Sequence, residues 1–207
     1  MRNEMSYMSQ LRHPFVVALH SVQQDSRHLY ILMDYLAQGE LLKVLQSVGR
    51  MSKDMARFYV GSVLTAFEYF HSKDLIYRDL KPENVLVCDN GYVKITDFGF
   101  MKKIKKWERT YTLCGTPEYM APEVILNQGH GRAADWYTLG IFIYELMVSR
   151  PPFMHHDTYE VFKMILKEKV PFPKEFNTDA KSLIRHLTKT DLSKRYGNMI
   201  NGVDDIR

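Results

Sequence analysis

The sequence predicts an α+β protein, a mostly helical body preceded by a short segment that contains strands. Beyond Tyr35 most apolar residues recur at helical spacing, whereas two earlier apolar runs, PFVVALHSV and HLYILMDYL, have the character of strands. With 207 residues, 45% of them hydrophobic, the chain can bury a core as one domain or as two small lobes.

Each element follows from a local pattern. Apolar residues in the segment 1–11 are spaced as on a helix, and the polar stretch QQDSR can join the next two strands as a hairpin. Ser52 is a suitable N-cap for a long helix. Two short runs, NVLV and YVKIT, flank CDNG, in which the Asn-Gly pair is a strong hairpin signal. Further helices are predicted over 138–147, 159–166 and 180–187.

Composition excludes several classes of protein. The net charge is only +4, and a single basic run, KKIKK, has no interleaved aromatic residues, so a solvated loop face is the better interpretation than a nucleic-acid site. Two cysteines cannot form a disulfide framework, and the histidines lack zinc-ligand spacing. The longest apolar run, LGIFIYELMV, is too short to cross a bilayer. We expect a cytoplasmic or nuclear protein with neither nucleic-acid nor membrane partners.

The stretch IYRDLKPENVLV concentrates charge between apolar runs. Asp79 could orient a hydroxyl, Lys81 could neutralise a phosphoryl group, and Asn84 could ligate Mg²⁺. The acidic turn TDFG follows the next strand, so that Asp97 could share the metal with Asn84. The alternative for this stretch in isolation is a solvated turn with incidental charges.

Three motifs, YRDLKPEN, DFG and GTPEYMAPE, resemble in this order the signature set of the protein kinases. The longer stretches TLCGTPEYMAPEVI, DWYTLGIFIYELM and KRYGNMINGVDDI resemble serine/threonine kinases of the cyclic-AMP-dependent type, in the AGC group. The resemblance implies a protein-kinase-like fold, with residues 1–35 as a piece of the N-lobe (helix C and two strands) and 36–207 as the C-lobe without its last helix.

The resemblance also implies ATP and Mg²⁺ as cofactors and a role for each motif residue. Asp79 would accept the proton of the substrate hydroxyl, Lys81 would contact the transferring phosphate, and Thr116 would brace both. Asn84 and Asp97 would hold the metal ions. Two roles are structural: Asp135 would hold the backbone of the catalytic loop, and Glu123 would pair with Arg195. The segment MDYL resembles the hinge that binds adenine, which gives the expected nucleotide contacts Met33, Asp34, Leu36, Glu40, Leu86 and Thr96.

Substrate and regulatory residues follow from the same resemblance. Glu40, Glu83 and Glu145 would receive arginines upstream of the phosphorylated Ser or Thr, while Leu113 and Pro117 would line an apolar pocket for the residue after it. Taken singly, each glutamate could be a surface charge, and Met33, Leu36 and Leu86 could be ordinary core residues. The expected regulatory set consists of the phosphorylation site Thr112, its phosphate partners Arg78 and Lys102, and Glu4.

The activation segment, which lies between DFG and APE, is about two residues longer than the family pattern, with Trp107-Glu108 as the insertion. Cys114, beside Thr112, could act as a redox switch. No GxGxxG loop or V-A-I-K-like lysine strand occurs in the sequence, and the family's C-terminal tail is also lacking. Two functions therefore remain open. One is a serine/threonine kinase for Arg-rich protein substrates, associated with a cyclic-AMP-binding regulatory subunit; the other is a catalytically dead binding or competitor module.

Overall fold

The computed structural model describes Tyr7, residues 9–167 and residues 169–207. Glu4, together with most of the predicted first helix, lies outside the described residues. Within them the structure contains both helices and short antiparallel strand pairs. The prediction of an α+β fold is confirmed.

The two predicted N-terminal strands form a hairpin. Strand β1 spans Leu19–Gln24 and pairs antiparallel with β2, Leu29–Met33, in a register that places Val22 opposite Ile31. Asp25 closes the turn between them, because its carboxylate accepts hydrogen bonds from the backbone N–H groups of Arg27 and His28. Most of the apolar side chains of β2 are exposed.

The hairpin segment is attached to the helical body. The N–H of Val17 donates to the carbonyl of Ile95, and the N–H of Ile95 donates to the carbonyl of Phe15. Lys94 Nζ lies 2.6 Å from the carboxylate of Asp34. Backbone pairing and an ion pair thus both fix this segment to the body, whereas the division into two lobes at residue 35 stays a prediction.

Helices α1, Leu41–Val48, and α2, Lys53–Ser72, come next. The predicted N-cap of α2 is confirmed, because Ser52 Oγ accepts the N–H of Met55 at 3.2 Å. One side of α2 carries buried aromatic and aliphatic residues, which pack into the core.

Two short strand pairs hold the segment 77–84. Strand β3, Leu75–Ile76, precedes it and pairs with β6, Lys102–Lys103. Strand β4, Val85–Val87, follows it and pairs with β5, Val93–Ile95, across the predicted Asn-Gly turn. Gly91 has φ +83° there, a conformation that suits glycine. The charged segment is thereby held at both ends by backbone pairing.

The rest of the body is helical. Helix α3 spans Pro122–Ile125, α4 Arg132–Val148, α5 Thr158–Lys167 and α6 Thr178–Leu187. Nearly every residue of α4 is buried, as expected for a helix that is apolar on all sides. No helix among the described residues is long and apolar enough to cross a membrane.

A buried ion pair ties α3 to the C-terminal part of the chain. Arg195 is fully buried and donates from Nη1 and Nη2 to the two carboxylate oxygens of Glu123, at 2.6 and 2.9 Å. Its Nη1 also donates to the carbonyl of Ala133, and its Nε to that of Lys189. The predicted pairing of Glu123 with Arg195 is confirmed.

Candidate active site

The loop that follows β3 is fixed by a buried carboxylate of α4. Asp135 is fully buried, and its oxygens accept the backbone N–H groups of Tyr77 and Arg78 at 3.0 and 2.8 Å. His71 Nε2 lies 2.8 Å from the same carboxylate. Because Arg78 has φ +74°, in the left-handed region, these hydrogen bonds also hold a strained backbone position. The structural role predicted for Asp135 is confirmed.

Asp79 lies at the centre of a hydrogen-bonded cluster. Its Oδ1 accepts the hydroxyl of Thr116 at 2.8 Å, and its Oδ2 accepts the amide of Asn84 at 2.9 Å. Lys81 Nζ donates to Thr116 Oγ1 at 2.9 Å and lies 3.2 Å from Asp79 Oδ2. The structure thus brings these four predicted residues together, and Thr116 touches both residues that it was predicted to brace.

Hydrogen bonds of the Thr96 backbone hold the residue before Asp97 next to this cluster. The N–H of Thr96 donates to the carbonyl of Asn84 at 3.0 Å, and Tyr77 Oη donates to the carbonyl of Thr96 at 2.6 Å. Burial, followed by the charges of Asp79 and Asp97, raises the pKa of Tyr77 well above its usual value. Tyr77 therefore remains a protonated donor, which links the loop after β3 to Thr96, the residue before Asp97.

The side-chain oxygens of Asn84 and Asp97 are suitable ligands for a hard divalent cation. The amide nitrogen of Asn84 is used for Asp79, so the side-chain oxygen of Asn84 is its remaining acceptor. Asp97 is exposed, and among the described residues no cation pairs with its carboxylate. Mg²⁺ is commonly held by one or two such oxygen ligands together with substrate phosphates. Asn84 and Asp97 therefore fit the predicted metal.

The predicted nucleotide contacts line the junction between the hairpin and the body. Glu40 pairs with Leu86 through a backbone bridge, and both side chains are half-buried. Leu36 and Thr96 are half-buried as well, while Met33 is 41% exposed. None of Met33, Leu36 and Leu86 is fully buried, and their role as nucleotide contacts stays a prediction. Asp34 is the exception in this set, because its carboxylate is engaged by Lys94, His20 and the Ala18 N–H.

The acidic residues predicted to contact substrate are not equivalent. Glu145 lies on α4 and is only 7% exposed, so its interpretation as a surface charge is wrong. Burial, followed by the nearby charges of Glu83 and Glu118, raises its pKa to about 8. One of its oxygens, Oε2, is buried without a hydrogen-bond partner in the described part of the chain. These three carboxyl groups therefore form a region that an incoming cation would stabilise.

Two residues of the site were missed by sequence reasoning. Glu118 belongs to the PEY turn directly after Pro117, so the motif GTPEY could have suggested it as a third acid near Glu83 and Glu145. Thr110 lies two residues before Thr112 and is buried, with its hydroxyl held by Lys102 Nζ at 2.8 Å. Nothing in its local pattern distinguishes Thr110 from Thr112.

The predicted phosphorylation site is accessible, but its predicted partners contact other groups. Thr112 is exposed, whereas Lys102 contacts Thr110 and Arg78 Nε donates to the carbonyl of Phe100. In the part of the chain that the structure describes, neither Arg78 nor Lys102 hydrogen-bonds the Thr112 hydroxyl. Arg78 Nη1 is nevertheless buried without a partner. That donor is available to a new acceptor.

Two further predicted residues frame the surface around Thr112. Leu113 is 58% exposed and Pro117, which opens the 3₁₀ turn Pro117–Tyr119, is half-buried. Cys114 is half-buried, and burial raises the pKa of its thiol, which disfavours the reactive thiolate. A redox switch at Cys114 gains no support from this environment.

The cluster around Asp79, the neighbouring Asn84 and Asp97, and the helical body together indicate the class of the molecule. Residues 1–202 match the protein kinase domain family, and the chain belongs to that family. Its similarity to kinases of the cyclic-AMP-dependent type extends over essentially all of the chain.

Three relatives show the extent of this similarity. A cAMP-dependent protein kinase, catalytic subunit-like, of Caenorhabditis elegans is 43% identical over 205 residues, which cover 99% of this chain and 51% of the relative. The human cAMP-dependent protein kinase catalytic subunit PRKX is 46% identical, with 99% and 57% covered. The rat cGMP-dependent protein kinase 2 is 42% identical, with 99% and 27% covered. The chain thus spans about half the length, or less, of these curated relatives.

Proposed function

We propose that this chain carries the phosphoryl-transfer site of a serine/threonine protein kinase that uses ATP and Mg²⁺. The observation that carries the proposal is the cluster in which Thr116 hydrogen-bonds both Asp79 and Lys81. It places a buried carboxylate and a cation side by side, as required by a reaction in which a hydroxyl is oriented and phosphate charge is neutralised.

Each residue of the cluster has a distinct task. Asp79 orients the hydroxyl of the substrate Ser or Thr and accepts its proton. Lys81 neutralises an oxygen of the transferring phosphoryl group, and Thr116 fixes the distance between the two charged side chains. Asn84 and Asp97 would hold Mg²⁺, and ATP would supply the phosphoryl group when bound.

The nucleotide would lie along the junction between β2 and β4. Half-buried Leu36, Leu86 and Thr96 offer an apolar and weakly polar surface for a base, with exposed Met33 at its edge. Glu40, whose backbone pairs with Leu86, is suitably placed for a ribose hydroxyl. The carboxylate of Asp34 is engaged, and its N–H donates to the carbonyl of Ala18, which leaves the backbone carbonyl of Asp34 as the group that would contact the base.

Arginine-rich proteins are the proposed substrates. A guanidinium entering between Glu83, Glu118 and Glu145 would satisfy the partnerless oxygen of Glu145 and stabilise its ionised form. Glu40 would receive a further arginine, and exposed Leu113 with Pro117 would contact an apolar residue after the phosphorylated one. This supports a substrate of the form R-R-x-S/T followed by an apolar residue.

Phosphorylation of Thr112 would activate the site. The free donor of Arg78 and the nearby ammonium of Lys102 could turn to a phosphate, which would order the segment around Leu113. The similarity to cAMP-dependent catalytic subunits supports association with a cyclic-AMP-binding regulatory subunit. The proposed location is the cytoplasm or the nucleus.

The decisive experiment is Mg²⁺-dependent transfer of phosphate from ATP to an R-R-x-S peptide by the purified chain, with an R-R-x-Y peptide for comparison. Asp79→Asn should abolish transfer and leave folding intact, because Asn keeps the volume of the side chain. Asp54→Asn is the matched control, since Asp54 is exposed on the first turn of α2 and, within the described part of the chain, forms an ion pair with Arg57 alone. This control should transfer phosphate at the normal rate.

Three outcomes would contradict parts of the proposal. Equal transfer to the tyrosine peptide would remove the Ser/Thr assignment. Transfer that survives Asp79→Asn would remove the role of that carboxylate. Peptide binding without transfer, by a chain shown to be folded, would instead support the second candidate, a non-catalytic binding module.

A further inference from the structure

A basic turn projects from the activation segment between two anchored residues. Ile104 is buried, and its N–H donates to the carbonyl of Asp74 at 2.8 Å. Thr110 is also buried, and its backbone pairs in both directions with His130. The five residues between these anchors, 105–109, are all exposed. We call them the 105–109 turn.

The turn has a defined conformation. The N–H of Glu108 donates to the carbonyl of Lys105 at 2.9 Å, and the N–H of Lys105 donates to Glu108 Oε2 at 2.9 Å. This reciprocal pair closes the base of the turn and leaves Lys106 and Trp107 at its tip. Trp107 is 85% exposed, and Lys106 Nζ lies 5.2 Å from the centre of its ring. An indole ring is thus held in solvent beside a cation.

Positive charge surrounds this indole ring. Lys103, Lys105, Lys106 and Arg109 are exposed, and among the described residues none of the four forms an ion pair. The two nearby acids are already engaged, since Glu108 caps the Lys105 N–H and Asp74 pairs with Arg132. Together the 105–109 turn and Lys103 present four cations and one large aromatic ring, against the single carboxylate of Glu108.

We propose that the 105–109 turn, with Lys103, binds the surface of an anionic lipid bilayer. Tryptophan rings favour the level of the lipid headgroups, and clustered Lys and Arg side chains are attracted to acidic lipids. A projecting ring suits insertion into a soft surface better than binding to a folded protein, which would require a matching pocket. The proposal is independent of the proposed kinase activity.

This proposal differs from the expectation drawn from the sequence. The sequence predicted a solvated loop face at KKIKK because that run contains no aromatic residue, and it predicted no membrane partner because the longest apolar run is too short to cross a bilayer. In the fold, the residue that follows this run in the chain reaches the tip of the same turn, so the aromatic ring and the cations share one surface. Surface binding by a turn also agrees with the lack of a membrane-spanning helix among the described residues.

Tryptophan fluorescence tests the proposal directly. The chain has two tryptophans, and Trp136 is only 3% exposed within α4, so Trp107 provides the solvent-sensitive emission. Titration with phosphatidylcholine vesicles containing phosphatidylserine should shift the emission to shorter wavelength, whereas phosphatidylcholine alone should not. The shift should weaken as salt shortens the Debye length from about 10 Å to about 3 Å.

Variants assign the binding to the turn. The double variant Lys105→Ala with Lys106→Ala should lower the partition coefficient onto the anionic vesicles, measured by cosedimentation, about 25-fold, at about fivefold for each cation removed. Lys167→Ala with Lys169→Ala is the charge-matched control at exposed positions elsewhere and should change it little. Trp107→Ala should reduce cosedimentation, whereas Ile200→Ala, at another exposed apolar residue, should not. All of these side chains lie outside the core, so folding should be unaffected.

Three results would overturn the proposal. The first is an equal spectral shift with neutral and anionic vesicles, and the second is an equal loss of cosedimentation for both double-lysine variants. The third is a shift caused by a soluble polyanion such as polyglutamate, without a shift from vesicles, which would assign the turn to an acidic macromolecule.

Discussion

Glu145 carries an unusual protonation state for a carboxyl group in a folded protein. Its pKa is raised from the ordinary 4.5 to about 8, first by burial and then by the charges of Glu83 and Glu118. Between these two pH values the folded chain keeps a proton that the unfolded chain releases. The contribution of the protonated carboxyl group to stability is therefore complete below about pH 4.5 and is lost as the pH rises through about 8.

Glu145→Gln should remove this pH dependence, because the neutral amide has no proton to lose. At about pH 9 the variant should be more stable than the wild type by a few kcal/mol, at about 1.4 kcal/mol per unit of pKa difference. At about pH 4 the two should differ little. Urea unfolding at both pH values measures the difference. Glu175→Gln, at an exposed position, is the control, and an equal effect of that substitution would contradict the assignment to Glu145.

Thr116 is expected to act on the reaction through its hydroxyl group alone. Thr116→Ala would free both Asp79 and Lys81 to shift, and a displacement of about 1 Å at a reacting group can cost about 100-fold in rate. Thr116→Ser keeps the hydroxyl and should restore most of the activity. Peptide phosphorylation rates measure both variants, beside urea midpoints that should remain close to the wild-type value. A loss in Thr116→Ser equal to that in Thr116→Ala would show that the methyl group matters instead.

At the scale of elements, the start of α2 depends on a single side-chain hydrogen bond. Ser52 Oγ accepts the N–H of Met55, a donor that the helix itself cannot satisfy. Ser52→Ala should therefore lower the free energy of unfolding by about 1 kcal/mol. Urea unfolding measures this loss. Ser72→Ala at the other end of the helix should cost less, because the Ser72 hydroxyl donates to the carbonyl of Tyr69 within the helix and caps no free N–H group. A larger loss there would argue against the capping explanation.

The elements that sequence reasoning identified are those with a strong local signal. The Asn-Gly turn between β4 and β5 and the serine before α2 each predict structure from adjacent residues. The pairing of β3 with β6 was missed because it joins two-residue strands far apart in the chain, Leu75 opposite Lys103. Helix α1 was also missed, although Leu41 and Leu45 are spaced as one buried face of a short helix.

The candidate site was predictable to the extent that its residues lie in contiguous motifs. The cluster around Asp79 and the hydrogen bonds of Asp135 were expected from motifs and are present. Burial cannot be deduced from a motif. The raised pKa of Glu145 was therefore missed, as was the hydrogen bond from Lys102 to the buried hydroxyl of Thr110. The exposed tip at Trp107 likewise depends on how the chain folds back between its two anchors.

At the scale of the whole molecule, the ion pair between Glu123 and Arg195 connects the activation segment to the C-terminal region. Both side chains are buried, and they meet through two parallel hydrogen bonds. Such a pair is costly to desolvate, so its net contribution to stability is small compared with the cost of breaking it. The important quantity is therefore the penalty for leaving one charge alone in the core.

Arg195→Met should lower the free energy of unfolding by about 3–5 kcal/mol, because Glu123 would remain buried without a counter-ion. Adding Glu123→Leu should recover much of that loss, since the double variant buries no charge. Lys194→Met is the neighbouring control: its exposed pair with Asp191 should be worth about 1 kcal/mol or less. Urea unfolding of the four chains measures these terms. If Arg195→Met cost no more than Lys194→Met, or if the double variant were as unstable as the single one, the carboxylate would not be the source of the penalty. In the second case, the carbonyl groups of Ala133 and Lys189, which also accept from Arg195, would be responsible for the loss.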